Sequence, residues 1–267
     1  MKTPAVFWRL AIALLFAATA MQPARAQIDD KKLELRLGGF FTARDTKLGL
    51  FGPDGGGNLI DIESRLGLAA NTEVFRVDAN YRFSKRHQAD LSYFSLSRGA
   101  NRVIDQSFSI GGLTFPVGAD LTSDLAVNLF KASYSYMFAS KDDYELGASI
   151  GLFLQKNRAG LEQAGTGIIV NESVTLPLPV IGLRGRYKLG KRWRLSGSAE
   201  TFFLSFDKYD GRLFDFRAAI EYDLFENAAI GLGYNWIDID VDVDNARLDW
   251  TIDWRVSGIL TYVRVAF

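Results

Sequence analysis

The final stretch of the sequence, residues 250–267, constrains the fold most, because its side chains alternate over its whole length. It reads WTIDWRVSGILTYVRVAF; Val265, Val263 and Ile259 fall on one parity, and Arg264 and Tyr262 fall on the other. A period of two over this length predicts a β-strand with two different faces. One face is apolar or small and the other carries charge, so we expect the rest of the chain to supply the sheet that this strand completes.

The first residues have the features of an export signal. Basic residues precede an apolar run at 10–18 that is too short to span a bilayer, and Ala-Arg-Ala at 24–26 supplies a small-x-small cleavage pattern. We therefore predict a cleaved signal peptide over residues 1–26 and a single domain over 27–267, with an uncleaved anchor helix as the alternative. The sequence contains no other long apolar run, and a β-barrel is then the remaining way to span a membrane.

Charge and cysteine content exclude several classes of function. The formal net charge is zero, whereas a nucleic-acid partner calls for a basic excess. No cysteine is present, which excludes disulfides and thiolate chemistry. We predict no cofactor.

The same alternation identifies about ten candidate strands. In one of them Tyr144, Leu146 and Ile150 stand opposite in parity to Glu145 and Ser149. Each candidate is near the roughly nine to eleven residues that a tilted transmembrane strand needs, several of them with extensions. The candidates span residues 33–43, 73–83, 87–98, 125–138, 144–155, 175–189, 193–206, 212–224, 228–237 and 250–267.

The connections between these strands alternate in length. Tight turns are predicted at 84–86, 139–143, 190–192 and 225–227, and longer segments at 44–72, 99–124, 156–174, 207–211 and 239–247. This alternation is typical of short periplasmic turns and long extracellular loops. An even strand count returns both chain ends to the periplasmic side. Ten strands are therefore favoured over eleven, the count that results if residues 59–68 are taken as a full strand.

Aromatic residues recur beside the tight turns and share one parity. Tyr81, Phe83, Tyr134, Tyr136 and Trp193 are examples. This pattern is typical of the aromatic girdle at a membrane interface. A soluble β-sandwich also buries alternating aromatics, but it does not easily explain an opposite face that is ionic.

The export signal, the strand repeat and the terminal aromatic Phe267 together resemble the superfamily of small bacterial outer-membrane β-barrels. Within it, the stretch GNLIDIESRLGL…TEVFRVDANYRFSKRHQADLSYFSLSR resembles an uncharacterised proteobacterial group. The resemblance implies an all-β transmembrane antiparallel barrel in the outer membrane of a Gram-negative bacterium. It also implies that Phe267 is the signal read by the barrel-assembly machinery, and that outer-membrane lipids and lipopolysaccharide are partners. The group brings no function with it.

Charged residues occupy the parity that we expect to face the lumen. Two interpretations remain open: paired charges that fill and plug a narrow barrel, or a narrow hydrated path lined by fixed charge. The predicted lumen residues are Arg36, Arg76, Asp78, Arg82, Asp90, Lys131, Glu145, Arg184, Arg186, Arg194, Glu200, Arg217, Glu221 and Arg264.

Catalytic signals are weak. The single histidine, His87, directly follows a tight turn and is expected at the periplasmic rim. Carboxylate-only chemistry remains conceivable, but no pair of acids has a distinctive spacing. We expect no catalytic residues and no enzymatic activity.

Two loop segments suggest further features, a metal site and a cover over the barrel mouth. In the segment IDIDVDVDN the acidic residues alternate, so they share one face; they are Asp238, Asp240, Asp242 and Asp244. Carboxylate oxygens arranged in this way could bind calcium or magnesium. A solvated extension of the strand explains the pattern equally well. The segment 59–68 follows a glycine run and is expected either to fold over the barrel mouth, as a lid or short hairpin, or to be an ordinary mobile loop.

The sequence therefore predicts a monomeric, integral outer-membrane barrel with a salt-bridged lumen and a non-catalytic structural or surface-binding role. Two alternatives remain open. One is a porin-like narrow channel or a lateral-diffusion transporter for small solutes or apolar compounds, and the other is an outer-membrane hydrolase.

Overall fold

The computed structural model describes residues 31–51, 57–110, 112–206, 209–243 and 249–267. The predicted signal peptide, most of the glycine run before residue 58, and Asp244 lie outside the described residues. No helix in the described part of the chain has the length and hydropathy that a membrane-spanning helix requires.

Ten long strands form a closed antiparallel barrel, which confirms the predicted fold and strand count. Each of them pairs with its neighbour along the chain, and the last returns to pair with the first, from Glu34 opposite Ala266 to Phe51 opposite Asp249. The elements are β1 Leu33–Phe51, β2 Ile60–Asp61, α1 Ile62–Leu66, β3 Asn71–Arg82, β4 His87–Val103, β5 Phe108–Ile110, β6 Leu113–Phe115, β7 Asp120–Ser140, β8 Tyr144–Gln163, β9 Ile168–Leu189, β10 Trp193–Phe206, β11 Tyr209–Phe225, β12 Ala228–Val243 and β13 Asp249–Ala266. The strands other than β2, β5 and β6 form the barrel wall.

The two ends of the barrel differ, and we name them by their connections. The turn end carries the tight connections after β3, β7, β9 and β11, together with both ends of the described chain. There the amide nitrogen of Phe267 donates to the carbonyl oxygen of Leu33, and its carbonyl oxygen accepts from the amide of Lys32, both at 2.8 Å. The ladder that closes the barrel therefore extends to the last residue. The loop end carries the remaining connections.

Closure of the barrel depends on two glycines where β1 meets β13. A Cβ atom on Gly38 would lie 2.0 Å from the carbonyl oxygen of Thr261, and one on Gly258 would lie 2.0 Å from that of Phe41. Neither position has room for a side chain. The strands can approach to hydrogen-bonding distance only because both residues are glycine.

The outward face carries a wide apolar belt. Phe75, Ile181 and Phe203 are 65%, 62% and 77% exposed, and leucine, isoleucine, valine and tyrosine side chains continue the belt around the wall. Aromatic rings gather near its turn end, where Trp193 and Tyr222 lie 4.8 Å apart. An apolar surface of this extent is typical of a wall that faces lipid.

The strands continue beyond the belt into segments that the sequence assigns to loops. β7, β8 and β9 run to the loop end, and only residues 164–167 connect β8 to β9. β12 likewise continues to Val243. The barrel wall therefore extends well past the apolar belt at the loop end.

The predicted lid segment, residues 59–68, folds back into the barrel mouth. β2 takes the edge of β1 that β3 leaves free, with Ile60 opposite Leu48. α1 follows, with the side chain of Asp61 accepting from the amide of Ser64 at 2.8 Å, and it ends at Gly67, whose φ of 76° favours glycine. The segment is thus a strand bridge followed by one helical turn.

Candidate functional site

The structure places all of the predicted lumen residues on the inward face of the wall. Their side chains range from fully buried, as in Glu221, to 19% exposed, as in Arg184 and Arg217. They form linked ion pairs that fill the turn-end half of the lumen.

The first group of ion pairs surrounds Glu34 and Glu221 near the turn end. Arg36 lies 2.8 Å from Glu34 and 3.0 Å from Glu221. Arg264 lies 3.0 Å from Glu221, and Arg194 lies 3.7 Å from each of the two glutamates. The group joins β1, β10, β11 and β13, so each carboxylate balances more than one guanidinium.

Arg186 connects this group to the opposite side of the barrel. Its guanidinium on β9 lies 3.6 Å from Glu34 on β1, and four strands separate β9 from β1 in either direction around the wall. On its other side Arg186 lies 4.0 Å from Glu145, which also receives two hydrogen bonds from Arg82, at 2.5 and 2.8 Å. These contacts span the diameter of the lumen.

A second group lies farther from the turn end. Lys131 contacts Glu200 at 2.5 Å and Asp215 at 2.9 Å. Asn235 donates to Asp215 at 2.6 Å and accepts from Arg76 at 2.5 Å, which extends the group to β3.

Asp78 and Asp90 complete the second group. Asp78 pairs with Arg76 at 3.2 Å and with Arg217 at 3.0 Å. Asp90 pairs with Arg184, which also donates to the hydroxyl of Ser135 at 2.8 Å.

A small cavity remains between the two groups. Its volume is about 70 Å³, enough for a few water molecules. Its charged walls include Asp90, Lys131, Arg184, Arg186 and Glu200. The cavity is therefore a polar pocket within the ionic interior.

Several members of this site were missed by sequence reasoning. Asn80 and Asn235 hydrogen-bond to the charged groups, and the hydroxyl of Tyr262 donates to Glu221 at 2.9 Å. All three share the inward parity, and that signal was available. Charge alone does not identify the neutral side chains that hydrogen-bond to an ionic lumen.

A separate polar cluster lies in the mouth. Arg98 pairs with Glu63 of α1 and donates to the hydroxyl of Thr46 at 3.1 Å. Arg44 donates to the hydroxyl of Thr42 at 2.7 and 3.0 Å. Arg44 and Glu63 lie in a segment that the sequence assigns to a loop, so no lumen position was predicted there.

The loop-end half of the interior is otherwise mainly apolar, with Gln155 and Asn157 of β8 as buried polar exceptions; Gln155 donates to Asn157 at 2.9 Å. Inward-facing side chains there are almost completely buried, and they pack with the folded-back mouth segment. They include Leu48, Leu50, Ile62, Leu66, Leu125, Leu161, Leu176, Leu213, Ile237, Ile239, Val241, Trp250, Ile252, Trp254 and Val256.

Three of the four candidate metal ligands lie on the outward face of β12, beyond the apolar belt, and the fourth, Asp244, lies outside the described residues. Asp238 lies 3.5 Å from Arg255, Asp240 lies 3.1 Å from Arg212, and Asp242 accepts from Thr251 at 2.7 Å. Among the described residues, no group of three acidic or histidine side chains is arranged to hold a metal ion.

The surroundings perturb the protonation of Asp240 on this face. Partial burial raises the pKa of Asp240 above its ordinary value, and the guanidinium of Arg212 opposes that increase. The carboxylates of Asp253, Asp242 and Asp238 raise the pKa further. The face is thus acidic in excess of its arginine partners.

His87 lies at the turn end, where the sequence places it. Its ring packs 5.3 Å from that of Tyr136, and its Nδ1 is hydrogen-bonded to the hydroxyl of Tyr134. This surrounding matches that of an interfacial aromatic residue.

No protein-family model matches the chain, and no curated protein matches its sequence. Among solved structures, it is similar to the outer-membrane protease OmpT of Escherichia coli, with a TM-score of 0.58 and 13% identity over 88% of this chain and 97% of that one. Matches to the toluene transporter TodX of P. putida (TM-score 0.36, 9% identity, 90% and 91% coverage) and to Neisserial surface protein A (0.31, 14%, 87% and 99%) are too distant for detailed comparison. The chain has the fold of bacterial outer-membrane β-barrels.

Proposed function

We propose that this chain is an integral outer-membrane barrel that is closed to ions and has a non-catalytic, structural or binding role at the cell surface. The apolar belt supports the membrane location, and a Gram-negative outer membrane follows from the fold and the predicted export signal. The turn end then faces the periplasm and the loop end faces the exterior. Lipids, lipopolysaccharide and the barrel-assembly machinery are the proposed partners, with Phe267 as the assembly signal, and the protein is proposed to be monomeric.

The observation that carries the closed state is the ion pair between Arg186 and Glu34, which joins opposite walls of the lumen. A barrel of ten strands is only slightly wider than the eight-stranded barrels that side chains fill. Removing one partner of a buried ion pair costs about 3–5 kcal/mol, because a charge remains without compensation. The paired side chains are therefore held in place across the path that an ion would take.

The non-catalytic part of the proposal rests on the same contacts. Every predicted inward carboxylate, from Asp78 near the middle of the lumen to Glu221 near the turn end, is engaged by arginine or lysine. A general base needs a carboxylate that is free to accept a proton. Hydrolysis of a lipid or peptide substrate by the purified barrel would contradict this part.

A binding role at the exterior is supported by the loop end. There the wall rises past the belt and encloses an apolar interior, which the mouth segment partly covers. Apolar concavities with a few polar groups are the usual form of small-ligand sites.

Ion current through planar bilayers tests the closed state. We expect the unmodified protein to conduct poorly. Arg184 and Arg186 line the cavity, so replacing both with alanine enlarges it and leaves Asp90, Glu34 and Glu145 with fewer cations. Conductance should rise at fixed salt, and the current should shift toward cation selectivity.

The matched control replaces Lys156 and Arg158, two basic residues at the same spacing on the outward face of β8. This double substitution leaves the lumen intact and should leave the current unchanged. A large, steady, ion-selective current through the unmodified barrel would overturn the closed state and favour the narrow channel.

A further inference from the structure

The barrel wall has a gap between β9 and β10. These strands pair from Leu189 opposite Trp193 to Ile181 opposite Thr201, and no pairing between them continues past that point in the described part of the chain. Both strands nevertheless extend farther, β9 to Ile168 along β8 and β10 along β11. We call the space between β9 residues 168–180 and the end of β10 the lateral window.

The sequence of β9 explains why this edge stays open. Pro177 and Pro179 stand opposite Leu154 and Leu152 of β8, just past the last pair with β10. A proline has no N–H to donate, and within sheets prolines occur at edges that carry no partner strand. The same prolines make the edge a poor template for a strand from another protein, because the ladder would lack donors at two positions.

Side chains from inside the barrel line the window. Leu176, Leu178, Phe202 and Val241 face the interior and are at most 7% exposed, and together with Pro177 they border a cavity of about 50 Å³. Among the described residues, the only acid at its border is Asp210, beside Gly211. The window therefore joins the outside of the wall to an apolar part of the interior.

The height of the window places it at the outer edge of the lipid-facing belt. Ile181 lies eight residues from the turn end of β9 at Leu189, which corresponds to roughly 20 Å along the barrel axis for a strand tilted by about 40°. The apolar belt of such barrels is about 25 Å tall. Ile181, Leu183 and Phe203, among the most exposed apolar side chains of the protein, surround the lower edge of the window.

We propose that the lateral window binds one acyl chain of an outer-leaflet lipid, which enters the wall from the side. The apolar lining is continuous with the belt, which supplies the chemistry that a hydrocarbon chain requires. The prolines argue against a pairing strand as the occupant. This inference rests on the membrane location proposed above, and it adds a ligand class to the proposed binding role.

Single-cysteine variants test the window without background, because the chain has no cysteine of its own. Leu178→Cys, labelled with a small fluorophore, is placed in vesicles whose phospholipids carry bromine on their acyl chains, which quench fluorescence on contact. Ile181→Cys reports the lipid-facing belt. Leu129→Cys is the matched inward control, since it lies as far from the turn end of β7 as Leu178 lies from that of β9.

We expect quenching at position 178 of the same order as at 181, and little at 129. Quenching at 181 but not at 178 overturns the window site and leaves the membrane location intact. Absence of quenching at 181 overturns the membrane location itself. Quenching at 178 by a brominated free fatty acid in detergent, but not by the phospholipid, overturns the lipid source.

The unmodified protein provides a second test that does not depend on how the variants fold. In nanodiscs that contain a phospholipid with a photoreactive acyl chain, covalent label should appear on Leu176, Leu178 or Phe202, besides the outward belt. Label confined to outward residues contradicts the proposal.

Discussion

The two halves of the barrel are built with opposite polarity, although the same strands run through both. On β13, Val263 faces outward and Arg264 inward near the turn end, whereas near the loop end Asp253 faces outward and Trp254 is buried inside. The turn-end half has an apolar exterior and an ionic interior. The loop-end half has a polar exterior and an apolar interior, as a soluble barrel does.

β12 shows where the change takes place. Ile230 and Leu232 face outward near the turn end, while farther along Asp238 and Asp240 take the outward face and Ile239 the inward one. The alternation never breaks; only its polarity reverses. This reversal marks where the surroundings of the wall change from lipid to water, because each face carries the side chains that its own solvent favours.

The comparison also separates what holds each half together. The turn-end interior depends on mutual compensation of buried charges, so losing one charge affects several partners. The loop-end interior depends on apolar burial and close packing.

The largest effect is expected from Glu221→Ala. Glu221 contacts Arg36 and Arg264 at 3.0 Å and accepts from Tyr262, so the substitution leaves buried guanidinium groups without their shared carboxylate. The free energy of unfolding should fall by about 3–5 kcal/mol. Reversible urea unfolding in lipid vesicles measures it.

Glu226→Ala is the control, since Glu226 is an exposed glutamate in the turn that follows the same strand. Its effect should stay within about 0.5 kcal/mol, as for most surface substitutions. An equal loss in the free energy of unfolding from both variants would mean that Glu221 does not stabilise the ionic interior.

A smaller effect is expected from Val241→Thr in the loop-end half. Val241 lies between Ile252 and Gly211 on neighbouring strands and is 1% exposed. Threonine preserves the shape of valine, but it places a hydroxyl among mainly apolar side chains, and this should cost about 1–3 kcal/mol. Val117→Thr, at an exposed position before β7, should change nothing measurable. If Val241→Thr is equally neutral, the loop-end interior is a water-filled mouth and the comparison between the halves fails.

The sequence predicted the lipid-spanning half well, because alternation there follows the known pattern of membrane barrels. The strand count, the tight turns and the parity of Val263 and Arg264 all follow from that pattern. The loop-end half was assigned to loops because its polarity is reversed. In β8 and β9, residues 156–174 therefore looked like a connection, although only 164–167 is one.

The contacts within the site could not be predicted from the sequence. Parity places Glu34 and Arg186 on the inward face, but which of them meet depends on strand order, stagger and tilt together. Arg186 reaches Glu34 across the full barrel, and no local spacing encodes that meeting. The lateral window could not be predicted from the sequence either. Two prolines mark an edge, but only the pairing register shows that β10 stops pairing with β9 there.

The smallest effect is expected on the polar exterior of the loop end, from Asp240→Asn. Asp240 stands directly opposite Asp253 on β13, and like charges that face each other across strands cost roughly 0.2–1 kcal/mol. Because the pKa of Asp240 is raised in the folded barrel, the folded state binds a proton more readily than the unfolded chain does. The stability that this protonation supplies is present at acidic pH and is lost as pH rises through the folded pKa. Asparagine, which is never charged, should therefore stabilise the barrel slightly at neutral pH, and the gain should shrink on acidification.

The same unfolding measurement, repeated in calcium and in chelator, tests the metal hypothesis: on a plain solvated face neither addition changes the midpoint of unfolding. Stabilisation by calcium that Asp240→Asn abolishes would instead make these aspartates ligands, and Asp142→Asn in the turn-end connection after β7 provides the matched charge control.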